Sequence, residues 1–155
     1  MLNYLLARHM YVLGFMFNQD YSQVLLVLKN RPKWQAGKFN GIGGHVEPGE
    51  TPEIAMSREF HEEVGHQTTP GSWRHLGSIG RERDFCCHIL AQRLDVLDLV
   101  AMVPMLKTDE PVVVGFPGSL PPNVIPNLRW IIPMVIDSMT TSDPCYAANF
   151  ALGKR

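Results

Sequence analysis

The chain has 155 residues, of which 45% are apolar and 19% charged, and its formal net charge is −1. A chain of this length buries about 70% of its unfolded surface, so we expect one compact domain spanning residues 1–155. The near-zero charge offers no positive field for a polyanion. It argues against long nucleic acid as a partner and favours a small phosphorylated metabolite.

Cysteine usage and the N-terminal segment predict the cellular compartment of the protein. The three cysteines, two of them adjacent at Cys86 and Cys87, make no disulfide framework, which is typical of a reducing cytoplasm. Arg8 and His9 interrupt the N-terminal apolar run too early for a signal peptide. No segment is long enough to span a bilayer, so we expect no membrane partner.

The first part of the chain predicts three strands. Residues 11–17 and 23–28 alternate as strands and flank the turn-forming residues 18–20, which predicts an antiparallel pair. A third short strand is predicted over residues 42–46.

A helix is predicted from residue 51 to residue 64. Thr51 is a good N-cap, Pro52 suits the first helical position, and Gly65 is a natural terminator. Ala55 and Val64 form part of an apolar face that packs inward. The rest of the helix is therefore available for chemistry.

Three carboxylates of this helix point to a metal site. Glu59, Glu62 and Glu63 stand at i, i+3 and i+4, which places them about one turn apart on one face. A Glu-rich helix is usually a solvated face paired with Lys, but no Lys lies between residues 51 and 65. A hard cation would neutralise these charges, and oxygen ligands favour Mg²⁺, with Mn²⁺ as a substitute, over zinc.

A glycine-rich stretch, residues 41–50, precedes the helix. Its glycines allow backbone to approach a phosphate closely. Glu50, at its end, is expected to join or brace the acidic cluster, and Arg58 is placed to pair with Glu50.

The second part of the chain predicts three more strands and a second helix. Residues 73–79 and 84–91 are predicted strands joined by a turn at 80–83, and residues 111–116 form a Val-rich strand. A Pro-rich loop over 117–126 leads to a helix over 128–139, with Pro133 in its first turns. Residues 140–155 give no prediction.

The stretch from residue 44 to residue 65 resembles the signature of the Nudix hydrolase family. The matching positions are Gly44, Glu50, Arg58, Glu59, Phe60, Glu62, Glu63, Val64 and Gly65. His66 departs from the pattern, since the family usually has an aliphatic residue there. The resemblance covers residues 11–138 and implies an α/β fold, a Nudix-type α/β/α sandwich around a mixed β-sheet.

The resemblance also implies roles for these residues. Glu50, Arg58, Glu59, Glu62 and Glu63 would be catalytic. Gly44, with Glu59, Glu62 and Glu63, would hold the metal.

A fourth metal carboxylate usually lies outside the family signature. Glu110 stands at the position that resembles it, and Asp109 is the near competitor. Asp84, Asp95 and Asp98 are less favoured.

Residues 38–47 resemble the corresponding run of the MutT-like subgroup, which hydrolyses purine nucleoside triphosphates. The resemblance makes Asn40 a candidate reader of the base, and a turn Asn that stabilises its own loop is the equal alternative. Asn127 is a second base contact, in place of the acidic pair that reads oxidised guanine in some members. The remaining substrate-binding candidates, for the phosphates, are Lys38, Gly43, Gly44 and His45.

These observations predict Mg²⁺-dependent hydrolysis of a nucleoside diphosphate-X bond, with a purine nucleoside triphosphate, ordinary or oxidised, yielding monophosphate and pyrophosphate. Within the class, the alternatives are ADP-ribose, a sugar nucleotide or a dinucleoside polyphosphate. Outside it, the alternative is a non-catalytic nucleotide-binding regulator. The general base is Glu62 or Glu63, with Glu110 also open. A homodimer is compatible with the sequence.

Overall fold

The computed structural model describes residues 7–81, 83–103, 109–141 and, for the backbone alone, 150–151. The strands are β1 (His9–Phe17), β2 (Val24–Leu28), β3 (Phe39–Asn40), β4 (Arg74–Arg81), β5 (Phe85–Arg93), β6 (Val112–Gly115) and β7 (Phe150–Ala151). The α-helices are α1 (Pro52–Val64) and α2 (Leu128–Thr140). Short 3₁₀ turns cover Pro70–Ser72, Val100–Met102 and Pro117–Ser119.

The strands form one mixed sheet in the order β3-β2-β1-β5-β4-β7, with β6 also paired to β2. β1 runs parallel to β5 along its whole length, from His9 opposite Phe85 to Phe17 opposite Arg93. β2 is antiparallel to β1, β3 and β6, and β4 is antiparallel to β5. The predicted pairing of the first two strands is therefore confirmed.

Each face of the sheet is covered by one α-helix. Successive side chains of a strand point to opposite faces, and on β1 Val12 and Met16 pack with α1 whereas Leu13 and Phe15 pack with α2. Helix α1 buries Ala55, Met56, Phe60 and Val64. Helix α2 buries Leu128, Ile131, Ile132 and Val135. This arrangement confirms the α/β/α sandwich.

The close seating of α1 on the sheet depends on Gly14 of β1. A Cβ atom there would lie 2.3 Å from the Met56 sulfur, which real contacts do not allow. The absence of a side chain lets the helix approach the strand. This contact fixes how far the acidic residues of α1 stand from the sheet.

The ends of α1 are as predicted. The Thr51 side chain accepts a hydrogen bond from the Ile54 N–H at 3.3 Å. Gly65 has a left-handed backbone, with φ of 81°, and its N–H donates to the His61 carbonyl. His66, the departure from the signature, is exposed beyond this terminus, so it does not disturb the core.

Two local predictions were wrong in detail. The third strand lies at Phe39–Asn40 instead of 42–46, where Ile42 and His45 make only isolated bridges to β1. Gly43, between those bridges, has φ of 155° and passes so close to Val12 that a Cβ would lie 2.0 Å from its carbonyl oxygen. Such backbone does not continue a regular strand.

The other difference concerns the length of a strand. Strand β4 continues to Arg81, two residues into the predicted turn. Pro133 lies in the second turn of α2, in agreement with its predicted place in the first turns. Among the described residues, no helix is long and apolar enough to cross a membrane.

Candidate active site

A cleft of about 690 Å³ opens where α1 meets the glycine-rich segment and the end of β2. Its volume is within the usual range of small-molecule sites. Its lining consists of Lys29, Arg31, Gly43, Gly44, His45, Glu47, Arg58, Glu59, Glu62, Glu63, Asp109 and Glu110. Both acidic and basic side chains therefore face the same space.

Arg58 organises the side of the cleft next to the loop. Its Nε and one terminal nitrogen bind the two oxygens of Glu50 at 2.8 and 2.9 Å, which confirms the predicted pair. The same guanidinium donates to Glu59 and to the His45 carbonyl, each at 2.8 Å. Glu50 also accepts the Glu47 N–H at 3.0 Å. Arg58 thus holds the glycine-rich segment against helix α1. Glu50 supports the Arg58 guanidinium from outside the cleft lining.

Glu59 lies directly against the backbone of Gly44. A Cβ atom on Gly44 would stand 2.4 Å from the Glu59 Oε1 atom, so only glycine leaves room for this carboxylate. Burial raises the pKa of Glu59 above its ordinary value, even though Arg58 opposes that shift. Arg58 therefore offsets only part of the cost of burying the ionised Glu59 carboxylate.

Glu63 is the more strongly desolvated carboxylate. Burial raises its pKa to about 7, against the opposing charge of Lys29 and a hydrogen bond from Gly43. The Gly43 N–H donates to Oε2 at 3.1 Å, and the Lys29 ammonium lies 3.5 Å from Oε1. Gly43 and Gly44 therefore each contact one of the two inner carboxylates.

Glu62 differs from its neighbours on the same face of α1. Its side chain is 57% exposed, whereas those of Glu59 and Glu63 are 14% and 17% exposed. Its contact with Arg58 is long, at 3.5 Å. The predicted three-carboxylate face therefore has two inner members and one at the rim.

Glu110 reaches the cleft from the opposite side. Lys29 Nζ contacts one of its oxygens, and the other accepts the N–H groups of Asn30 at 2.8 Å and Arg31 at 3.2 Å. Burial raises the pKa of Glu110, but the hydrogen bonds from Lys29 and this backbone outweigh it and hold the pKa below its usual value. Lys29 thus lies between Glu63 and Glu110.

Lys29 and Arg31 were missed by the sequence analysis. Their approach to Glu110 depends on the pairing of β2 with β6, in which Val27 lies opposite Val112, and nothing local encodes that register. Among the other acids considered, Asp109 lines the cleft. Asp84 and Asp95 pair with Arg81 and Arg93 outside it, and Asp98 accepts the Val100 N–H.

The predicted substrate residues separate into two groups. Gly43, Gly44 and His45 line the cleft, and the His45 ring lies 4.4 Å from that of Tyr11. Lys38 instead donates to the Trp34 carbonyl at 2.8 Å and does not reach the cleft.

Asn40 uses both ends of its amide within its own loop. It donates to Gln35 at 3.0 Å and accepts the Gly41 N–H at 2.8 Å. These contacts favour the alternative of a loop-stabilising Asn, and base reading by Asn40 stays a prediction. The buried Oδ1 atom of Asn127 has no hydrogen-bond partner among the described residues.

The donor set of the cleft fits a hard divalent cation. Glu59 and Glu63 are inner carboxylates with raised pKa values, and the Gly44 backbone adjoins Glu59. As the side chains stand, no three His, Cys, Asp or Glu residues in the described ranges form a metal-binding group. The carboxylates are turned toward Arg58 and Lys29. Oxygen donors of this kind are the ligands that Mg²⁺ and Mn²⁺ prefer.

The sequence model described as the NUDIX domain matches residues 7–111, which include the cleft, β1 to β5 and α1. The chain therefore belongs to the NUDIX domain family. No curated protein matches the chain.

Solved structures with similar folds come from several NUDIX proteins. The mutator MutT protein from Bacillus halodurans has 17% identity and a TM-score of 0.61, with 83% of this chain and 82% of that one covered. An ADP-ribose pyrophosphatase from Streptococcus suis has 18% identity and a TM-score of 0.63, covering 87% and 94%. The NUDIX domain of Shewanella oneidensis NrtR, in complex with ADP-ribose, has 16% identity and a TM-score of 0.66, covering 86% and 90%. At these identities the likeness shows the fold.

The family assignment confirms the expected Nudix hydrolase as a class. The substrate is a separate question, because the similar structures carry both MutT and ADP-ribose names.

Proposed function

We propose that the protein hydrolyses the pyrophosphate bond of a nucleoside diphosphate-X compound with Mg²⁺, and that its substrate is a purine nucleoside triphosphate. The products are a nucleoside monophosphate and pyrophosphate. The observation that carries this proposal is the contact of Gly43 and Gly44 with the inner carboxylates Glu63 and Glu59.

This contact brings the backbone of the glycine-rich segment and two carboxylates together in the cleft. The cationic side chains of Lys29 and Arg31 line the same cleft. Glu59, Glu63 and the Gly44 carbonyl are the candidate ligands of the divalent cation. When bound, the cation would neutralise phosphate oxygens and lower the pKa of the attacking water. Lys29 and Arg31 line the same cleft and would contact phosphate oxygens directly.

Glu62 is the best-placed general base. It lines the cleft, is mostly exposed, and among the described residues is held by the long contact with Arg58 alone. Glu63 is tied to Gly43 and Lys29, and Glu110 to Lys29 and two backbone N–H groups. A carboxylate with few existing bonds can turn toward the water and take its proton.

The triphosphate assignment is supported by the similarity of residues 38–47 to the MutT-like subgroup. The resemblance to the ADP-ribose pyrophosphatase and to the ADP-ribose complex supports ADP-ribose as the second candidate. The third candidate function is nucleotide binding without hydrolysis, since a non-catalytic domain would keep the same cleft.

A substrate panel with Mg²⁺ tests these proposals. Purine and pyrimidine triphosphates, ADP-ribose, a sugar nucleotide and a dinucleoside polyphosphate would be compared by product analysis. We expect pyrophosphate and monophosphate from a purine triphosphate. Turnover of ADP-ribose alone would reassign the substrate, and tight binding without any product would replace the enzyme with a binding protein.

Paired variants test the roles of the carboxylates. Glu62→Gln should lower kcat by roughly 10²-fold with little change in the Mg²⁺ concentration needed for half-maximal rate. Glu63→Gln should change both quantities, and Asp95→Asn, whose side chain is 79% exposed outside the cleft, should change neither. Wild-type turnover in both Glu variants would refute the mechanism.

A further inference from the structure

A pair of histidines in contact lies outside the cleft, on the face of β4 and β5 that α1 covers. His75 Nε2 and His88 Nδ1 are 3.0 Å apart, and the two ring centres are 5.0 Å apart. On the same strand as His88, Cys86 Sγ lies 3.8 Å from His88 Nε2. None of these residues lines the acidic cleft.

The bulge in β4 explains how the two imidazoles meet. The register shifts between His75 and Gly77, so that His75 faces Leu90 and Ser78 faces His88. His75 and His88 are therefore diagonal neighbours on one face of an antiparallel pair, which is within reach of long side chains.

We propose that His75 and His88 form a binding site for a borderline divalent transition metal such as Zn²⁺. Two Zn–N bonds of about 2.0–2.1 Å at a tetrahedral angle need nitrogens about 3.3 Å apart. The observed 3.0 Å separation requires only a small outward movement of one ring. His75 is exposed, so a cation has access from solvent.

The surroundings of the pair suit a cation. Metal binding moves the shared proton to an outer ring nitrogen, and on His88 that nitrogen faces Cys86 Sγ, a weak acceptor.

Glu53 supplies negative charge from the first turn of α1. Its carboxylate lies within electrostatic range of both imidazoles. The site is an open one, with two protein nitrogens, because the described residues contain no group of three potential ligands at metal-binding spacing. Water would complete the coordination, and Glu53 would offset the added charge.

Calorimetric titration with ZnCl₂ tests this site on the full chain. With excess Mg²⁺ present to compete for the acidic cleft, wild type and Glu63→Gln should each bind one Zn²⁺ with similar affinity, because the histidine pair is separate from that cleft. His75→Ala and His88→Ala should each weaken that binding about 10-fold or more, since removing even outer-shell partners of a metal site costs that much. His66→Ala, at another exposed histidine, should bind as wild type does.

Two results would overturn the proposal. One is unchanged Zn²⁺ affinity in His75→Ala, whose exposed side chain can be removed without opening the core. The other is loss of binding in Glu63→Gln alone, which would place the Zn²⁺ in the acidic cleft. Thermal unfolding without metal checks that each variant is folded before titration.

Discussion

Gly44 leaves the space that the Glu59 carboxylate occupies, since a Cβ atom on Gly44 would lie 2.4 to 2.6 Å from the carboxylate atoms. The obstructing atoms are the far end of a flexible side chain, so Glu59 can turn away at little cost to the fold. A residue of the glycine-rich segment and a residue of helix α1 are therefore matched in size. This relationship ties the position of Glu59, a proposed metal ligand, to the glycine-rich segment.

The Gly44→Ala variant should separate activity from stability. We expect a loss in kcat/KM of about 10- to 100-fold, because Glu59 is pushed out of position, with little change in Tm. Gly118→Ala is the matched control, since a Cβ there meets no atom within 4 Å. Steady-state kinetics and thermal unfolding measure both effects. Full activity in Gly44→Ala would show that Glu59 need not sit where the structure places it.

Arg58→Lys should lower both activity and stability. A lysine keeps the charge but cannot bind Glu50 in two places while also donating to Glu59 and the His45 carbonyl. We expect the free energy of unfolding to fall by about 1 to 3 kcal/mol, measured by denaturant titration. Arg81→Lys, in an ion pair whose side chains are both 48% exposed, should lose less than about 1 kcal/mol. Equal losses of unfolding free energy in the two variants would contradict the bracing role of Arg58.

The metal-free protein should become less stable as the pH rises through the range set by Glu63. Its folded pKa of about 7 lies above the ordinary 4.5, so the unfolded chain ionises first and stability falls between those two values. Glu63→Gln removes this ionisation. With a chelator present, the variant should gain on the order of 1 to 3 kcal/mol over wild type at pH 8 compared with pH 4.5. A wild-type minus variant difference that does not change with pH would contradict the buried, raised carboxylate.

Glu110→Gln tests whether Glu110 ligates the metal or only anchors the end of β2. If it ligates, we expect the Mg²⁺ concentration for half-maximal rate to rise several-fold, while Asp95→Asn and Asp98→Asn leave it unchanged. An unchanged Mg²⁺ dependence, with a lower Tm, would assign Glu110 to the hydrogen bonds with Lys29, Asn30 and Arg31 alone.

Base discrimination should depend on Asn127 and not on Asn40. The Asn127 oxygen is buried and has no hydrogen-bond partner in the described part of the chain, whereas the Asn40 amide is satisfied within its loop. We expect Asn127→Ala to change the ratio of kcat/KM for purine and pyrimidine triphosphates by roughly 5- to 150-fold, the effect of about 1 to 3 kcal/mol. Asn40→Ala should reduce all substrates in equal proportion. The opposite pattern would return the base contact to Asn40.

The position of helix α1 was determined by local sequence. The Thr51 cap, the Gly65 terminator and the acidic spacing all act within a few residues, so helix α1 is where it was predicted. The alternating apolar residues of β1 likewise fixed the two covered faces of the sheet. The same spacing identified the family.

Only the tertiary structure decided which residues share the cleft. Lys29 meets Glu63 and Glu110 because β2 pairs with β6 and packs beside α1, and such long-range pairings leave no local pattern. The inner and outer positions of Glu63 and Glu62 depend on where α1 rests against β1. The contact of His75 with His88 also depends on a long-range pairing, because a bulge shifts the register of β4 against β5. No local sequence pattern indicates that shift.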